Sequence, residues 1–195
     1  MQNSLTGIAL AGLLIAVPAV ASAQAQPRQD TAKESKDSTM PRGDAKFLKE
    51  AAEDNLAEVK LGELAEQRAA SDSVKQFGKR MATDHQKAYD ELKQIASQKG
   101  VMVPTALDRG HQRLYDRLSK LSGVDFDRAY MKEMVKNHDN DVKAFQREAD
   151  SGKDADVRSW AAKTLPTLQE HQQQAKQVLA SVQGTSSPAA SPAQK

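Results

Sequence analysis

Between Val74 and Ile95 the chain places Val74, Phe77/Gly78, Met81, Ala88, Leu92 and Ile95 at alternating steps of three and four. Only an α-helix gathers such positions onto one face. His85 stands in the same seam with apolar neighbours one turn to either side, which predicts a core location. Two later seams repeat the arrangement: Tyr130/Met131, Met134, His138, Val142, Phe145, Ala149, and Val157, Trp160/Ala161, Thr164, Leu168, His171, Ala175, Val178, Val182. An earlier seam of Phe47, Ala51, Leu61, Gly62, Ala65 and Ala69 carries Glu58 near its centre and Asn55 towards one side. Four amphipathic seams predict an all-α protein built as a four-helix bundle.

Punctuation residues set the boundaries. Asp44 is the expected N-cap of a first helix over 44–70, and Ser71 or Asp72 opens a second that stops at Gly100. The third runs over about 125–150, ended by Ser151-Gly152, and the fourth over about 154–183. Pro166 removes one backbone donor from the fourth, so a kink is expected one turn before His171. The second and third long helices are joined by about 25 residues that include a short helix over 108–121. Hairpin loops in bundles need far fewer. The excess predicts a helical crossover along the bundle and hence ferritin-like topology, with up-down-up-down as the alternative.

An internal repeat points the same way. Sliding the chain until Phe47 lies on Tyr130 also lays Val59-Lys60 on Val142-Lys143, Val74-Lys75 on Val157-Arg158 and Phe77-Gly78 on Trp160-Ala161. Asp84-His85-Gln86 and Glu170-His171-Gln172 match if the last segment holds three extra residues, close to one helical turn. The reading is a duplicated helical hairpin.

Outside region 44–183 the composition changes. Leu5 to Val20 is an apolar and small-residue run followed by Ala21-Ser22-Ala23, which predicts a signal peptide over 1–23 cleaved after Ala23. Periplasmic or secreted localisation follows as an expectation, with no transmembrane segment in the mature chain. Segments 24–43 and 184–195 are polar or Pro/Ser/Ala-rich without apolar period, and are expected to be a disordered leader and tail. There is no cysteine, so disulfides, thiolate chemistry and Cys-based metal sites are excluded. With 28 Lys+Arg against 26 Asp+Glu and no basic block, nothing supports nucleic-acid binding. Protein partners and oligomeric state are not legible.

Three of the four histidines and Glu58 lie within one to two turns of their helix midpoints, one on each long helix. They are expected to meet at a common depth. A carboxylate and three imidazoles in hydrocarbon must pair or bind something. Glu58, His85, His138 and His171 are thus candidate ligands for a divalent transition metal such as Zn, Fe, Mn or Cu. The alternative is a metal-free hydrogen-bonded layer in a structural or interaction module. Positions 82, 135 and 168 are Ala, Val and Leu, so the Glu-x-x-His pairs of di-iron bundles are missing. Met81 and Met134 each precede a seam histidine by four, a spacing that suits core packing or a soft metal. Tyr130 lies two turns before His138. Asp84, Asp139 and Glu170 neighbour the histidines in sequence and are expected to point away from them, exposed or supporting a ligand from behind rather than ligating, and His111 is expected to lie on the surface. No phosphate loop or nucleophile-with-base pattern is present, and no reaction is legible.

These residues also resemble a known bacterial family. The elements are Ala57-Glu58-Val59, Leu61-Gly62, Leu64-Ala65, Val74-Lys75-Gln76-Phe77, Met81, Asp84-His85, Gly100-Val101, Pro104, Phe126-Asp127, Tyr130, Met134-Val135, His138, Leu165-Pro166 and His171. Over about 46–179 the chain is similar to the domain of unknown function 4142, a ferritin-like group of exported proteins often labelled membrane proteins. The resemblance implies a ferritin-like helical domain with no settled activity, with Glu58 and the three histidines at its polar positions. Asp54-Asn55 stands where that pattern has small residues.

Overall fold

A computed structural model describes residues 40–184 of the chain. The expected signal peptide and tail, and most of the leader, lie outside those residues. The described chain is all-α: α1 (Arg42–Arg68), α2 (Asp72–Gln98), α3 (Arg109–Leu118), α4 (Gly123–Ser151) and α5 (Ala155–Gly184). Among the described residues no helix is long and apolar enough to cross a membrane. The four long helices fall close to the predicted spans. Helix α5 runs unbroken through Pro166.

α1 pairs with α2 and α4 with α5 as two hairpins, and α1 also meets α4 while α2 meets α5. The end of α1 lies beside the start of α4, where Ala69 and Gly123 form an isolated backbone bridge. The chain must therefore travel from the far end of α2 back along the bundle before α4 begins. Residues 99–122, with α3 among them, make that single long crossover, as the length of the connection required. The phenol of Tyr89 pins it by donating to the Pro104 carbonyl at 2.8 Å.

Asp44 does not cap α1. That helix starts two residues earlier, after Pro41, without a side-chain cap. The Asp44 carboxylate instead reaches across to the α4–α5 turn and accepts from the backbone N–H groups of Lys153 and Asp154. Asp127 does the same for the α1–α2 turn, accepting from Ala70 at 3.1 Å and Ser71 at 2.9 Å. The offset that lays Phe47 on Tyr130 also relates Asp44 to Asp127 and Ala70-Ser71 to Lys153-Asp154, so the repeat is a structural duplication. Each hairpin's turn is tied by the first helix of the other hairpin. Asp127 is buried, and its removal takes the charged acceptor from the N–H groups of Ala70 and Ser71. Asp127→Ala should cost about 2 kcal/mol. Urea unfolding should show a lower midpoint with an unchanged slope; Asp127→Asn, which keeps one acceptor, should fall between.

The core is split in two. One apolar cluster gathers Phe47, Leu48, Tyr89, Leu92, Phe145, Trp160 and Leu168. The other gathers Leu61, Leu64, Phe77, Met81, Phe126, Tyr130, Met131, Met134 and Ala175. Along each long helix a buried polar residue interrupts the seam between them: Asn55 and Glu58 on α1, His85 on α2, His138 and Asp141 on α4, His171 on α5. Tyr89 and Ala96, rather than Ala88 and Ile95, complete the buried face of α2. A straight helix of about 3.6 residues per turn drifts off a strict heptad, and along a helix of this length the drift moves the seam by one position.

Candidate metal centre

The three histidines of the polar layer meet. One ring nitrogen from each of His85, His138 and His171 lies within 4.8 Å of the others, and all three residues are buried. Their ring centroids are 5.4–5.6 Å apart. Among the described residues this is the one such group of potential ligands.

Each ring is held by its opposite nitrogen. His138 Nδ1 donates to the carbonyl oxygen of Met134, one turn back on its own helix, at 2.9 Å. His171 Nε2 donates to the Asp84 carboxylate at 2.8 Å. His85 Nδ1 lies 3.0 Å from Asn55 Oδ1. The Asn55 amide is oriented by its own bond from Nδ2 to the Ala51 carbonyl at 2.6 Å, so its oxygen faces the ring and His85 Nδ1 is the donor. These three bonds fix the tautomers. The remaining nitrogens, His85 Nε2, His138 Nε2 and His171 Nδ1, carry lone pairs, are buried and have no hydrogen-bond partner. A carboxylate, a backbone carbonyl and an amide oxygen are the partners that orient imidazoles towards a metal.

Electrostatics keep the rings in their neutral, electron-donating form. Burial, reinforced by the other two rings, holds His85 well below the ordinary imidazole range. Burial likewise lowers His138, against the opposing pull of the Met134 carbonyl. It takes His171 down to about 4 despite the bond to Asp84. A group approaching the lone pairs therefore meets no protons to displace near neutral pH. A cavity of about 210 Å³ between α2 and α5 reaches His85 and His171 from solvent and is rimmed by Arg80, Asp84, Lys87, Glu91 and Lys163. Arg80 spans that rim, binding Asp84, Gln174 and Glu170.

Glu58 does not join this group, contrary to the expectation that it would share the histidines' common point. It is buried at the depth of the layer but turns towards α4, where its Oε1 accepts from Asn137 Nδ2 at 3.1 Å. It lines a separate cavity of about 260 Å³ with Asp54, His111, Lys136, Asn137, Asn140 and Asp141. Burial raises the Glu58 carboxyl to about 7. Asp141 is pushed well above the carboxylate range by burial, then by Asp54 and Glu58. A step of three residues along a helix falls about 60° short of a full turn. Asn55 and Glu58 thus both reach the interior, and the rotation of α1 gives the histidines to Asn55.

Asp84 takes the second of the two places expected for it: it does not join the three nitrogens but reaches across to α5 and orients His171 from behind. His111, expected on the surface, is three-quarters buried and sits between Asp54 and Asp108, which raise it to about 9. The signal for both was present as an acidic residue able to reach a histidine, but the reach depended on how the helices docked. Met81 and Met134 are apolar core residues, with the Met134 backbone supplying the acceptor for His138.

Comparison with known proteins places the chain. A family model described as a domain of unknown function, DUF4142, matches residues 26–178. The crystal structure of a DUF305 fragment from Deinococcus radiodurans is similar in fold, with a TM-score of 0.64 at 13% identity, covering 73% of this chain and 98% of that one. Nothing matches among curated proteins.

Proposed function

We propose that this chain, which belongs to the family of the domain of unknown function DUF4142, binds one divalent transition-metal ion through His85, His138 and His171. The observation that carries the proposal is the convergence of three buried, unpartnered lone pairs whose rings are each oriented from behind. Left empty, each such atom costs about 1–3 kcal/mol of lost hydration. An all-imidazole donor set suits Zn, Cu, Fe or Ni better than Mg or Ca. Three protein ligands leave a position open on a four-coordinate ion, and the cavity between α2 and α5 reaches two of the three rings, His85 and His171. The role is metal binding by an exported helical bundle, possession of a signal peptide being inferred from the Leu5–Val20 run and Ala21-Ser22-Ala23. A ferritin-like name and a stress-linked role belong to the same proposal, which assigns no reaction.

The test is thermal unfolding of chelator-treated protein with Zn²⁺, Cu²⁺, Ni²⁺, Mn²⁺ or Fe²⁺ added in turn. At a hundredfold excess over Kd, one site stabilises by about 2.7 kcal/mol, roughly 8 °C for a domain of this size. His138→Ala should abolish the rise. Absence of a shift with all five ions would leave the layer as a metal-free network whose lone pairs are filled by water.

A further inference from the structure

The duplication is not exact in the polar layer. When Phe47 is laid on Tyr130, Glu58 falls on Asp141 and Asp54 on Asn137. In one half of the pair, Asn137 donates an amide hydrogen to Glu58. In the other half the counterpart residues are Asp141 and Asp54, two carboxylates with no amide to donate. Asp141 is buried, and among the described residues its side chain makes no hydrogen bond. Across the same cavity Glu58 is 1% exposed, and its Oε2 is buried without a partner. The hydroxyl of Tyr130, two turns before Asn137, is also buried and unpartnered, and lies within electrostatic reach of Glu58.

Neither cation that lines the cavity pairs with Glu58 or Asp141 among the described residues. The cavity is lined by Asp54, Glu58 and Asp141 against His111 and Lys136, with Asn137 and Asn140 adding amide oxygens. His111 is already shared between Asp54 and Asp108, and among the described residues Lys136 forms no ion pair. Glu58 and Asp141 are thus left without a cationic partner of their own among the described residues. Glu58, Asp54 and Asp141 do not form a ligand group as close-set as the histidines among the described residues, so an ion held by them would keep part of its water shell. At about 260 Å³ it has room for an ion and several waters.

The geometry points to a second cation site, distinct from the histidine centre, in which Glu58, Asp54 and Asp141 hold a partly hydrated, oxygen-preferring divalent ion of the Ca²⁺ class. Carboxylates, amide oxygens and water are the ligands such ions take, whereas the imidazole centre in the same layer would take a borderline metal. The bundle would therefore carry two sites of opposite chemical preference, with Asn55 and Glu58 of α1 each facing one of them.

Terbium luminescence tests this directly, since Tb³⁺ substitutes for Ca²⁺ and Tyr130, within electrostatic reach of Glu58, can sensitise it. The protein should bind one Tb³⁺ saturably, with tyrosine-excited emission displaced by Ca²⁺. Glu58→Gln and Asp141→Asn should each weaken binding at least tenfold, while His138→Ala leaves it unchanged. Asp54→Asn provides a variant that keeps its acceptor for His111 and restores to Asp141 the amide donor that Glu58 has; it should also weaken Tb³⁺ binding at least tenfold. Far-UV circular dichroism checks that each variant is folded. Emission that fails to saturate, or that is indifferent to Asp54→Asn and Glu58→Gln, overturns the site. Loss of the Zn²⁺ shift with Tb³⁺ binding intact would remove the histidine proposal and leave this one standing.

Discussion

Gly62→Val should lower the unfolding temperature by about 10 °C. At this point α1 and α2 touch through their backbones. A Cβ on Gly62 would stand 2.4 Å from the Gly78 carbonyl oxygen and 2.8 Å from the Ala82 nitrogen. Both are main-chain atoms inside α2 and cannot rotate aside. A Cβ on Gly78 would in turn meet the Ala65 Cβ at 2.6 Å. To admit valine the hairpin must open, and opening it loosens Leu61, Ala65, Phe77 and Met81 together. Overpacking of this kind costs about 3 kcal/mol, which at about 2–4 °C per kcal/mol gives the expected drop. Gly43, whose Cβ would meet nothing within 4 Å, provides the control: Gly43→Ala should be neutral or raise stability by up to about 1 kcal/mol through helix propensity. Equal effects at both positions would show that helix propensity, not contact, governs Gly62.

Glu58→Gln should stabilise the chelator-treated protein, and the gain should grow with pH. Burial raises the folded-state carboxyl from 4.5 to about 7. Below pH 4.5 it is protonated whether the chain is folded or not, so it has no effect there. Between about 4.5 and 7 the unfolded chain releases the proton while the folded one keeps it, so wild-type stability falls as pH rises. Above 7 the full penalty applies, about 3 kcal/mol by the pKa difference. Glutamine keeps the acceptor for Asn137 without the charge. The difference between the two melting curves should thus be near zero at about pH 4 and about 10 °C at about pH 8. The histidines act in the opposite sense. Their lowered pKa values, about 4 for His171, give stability that is complete above the unfolded value near 6.5 and lost as pH falls towards 4. That loss is common to both proteins and cancels in the difference. A pH-independent gain would mean that Glu58 is ionised less reluctantly than its burial implies.

Several parts of this protein were legible in one dimension. Steps of three and four from Val74 to Ile95 and in three other segments required helices. The repeat that lays Phe47 on Tyr130 required two similar hairpins, and the clamps made by Asp44 and Asp127 obey it. A histidine in the middle of an apolar seam has to enter the core, so the meeting of His85, His138 and His171 followed from their depth along the helices. Capping was less legible. Asp44 has the composition of an N-cap, but a carboxylate serves any nearby pair of free N–H groups, and the nearest pair belonged to the other hairpin.

The division between Asn55 and Glu58 could not be read in this way. Their positions differ by about 60° around α1, and hydrophobic periodicity fixes a helix's rotation no more finely than that. Contact with α2 at Gly62 and Gly78 sets the angle, and at that angle Asn55 meets His85 while Glu58 turns to Asn137 and Asp141. By itself the sequence determined that a polar layer of imidazole and carboxylate would lie inside a duplicated helical hairpin, because the period of the apolar residues dictates what is buried. Only the tertiary structure decided that the layer would divide into a nitrogen centre and an oxygen cavity, because which buried groups face one another depends on how the helices rotate into contact.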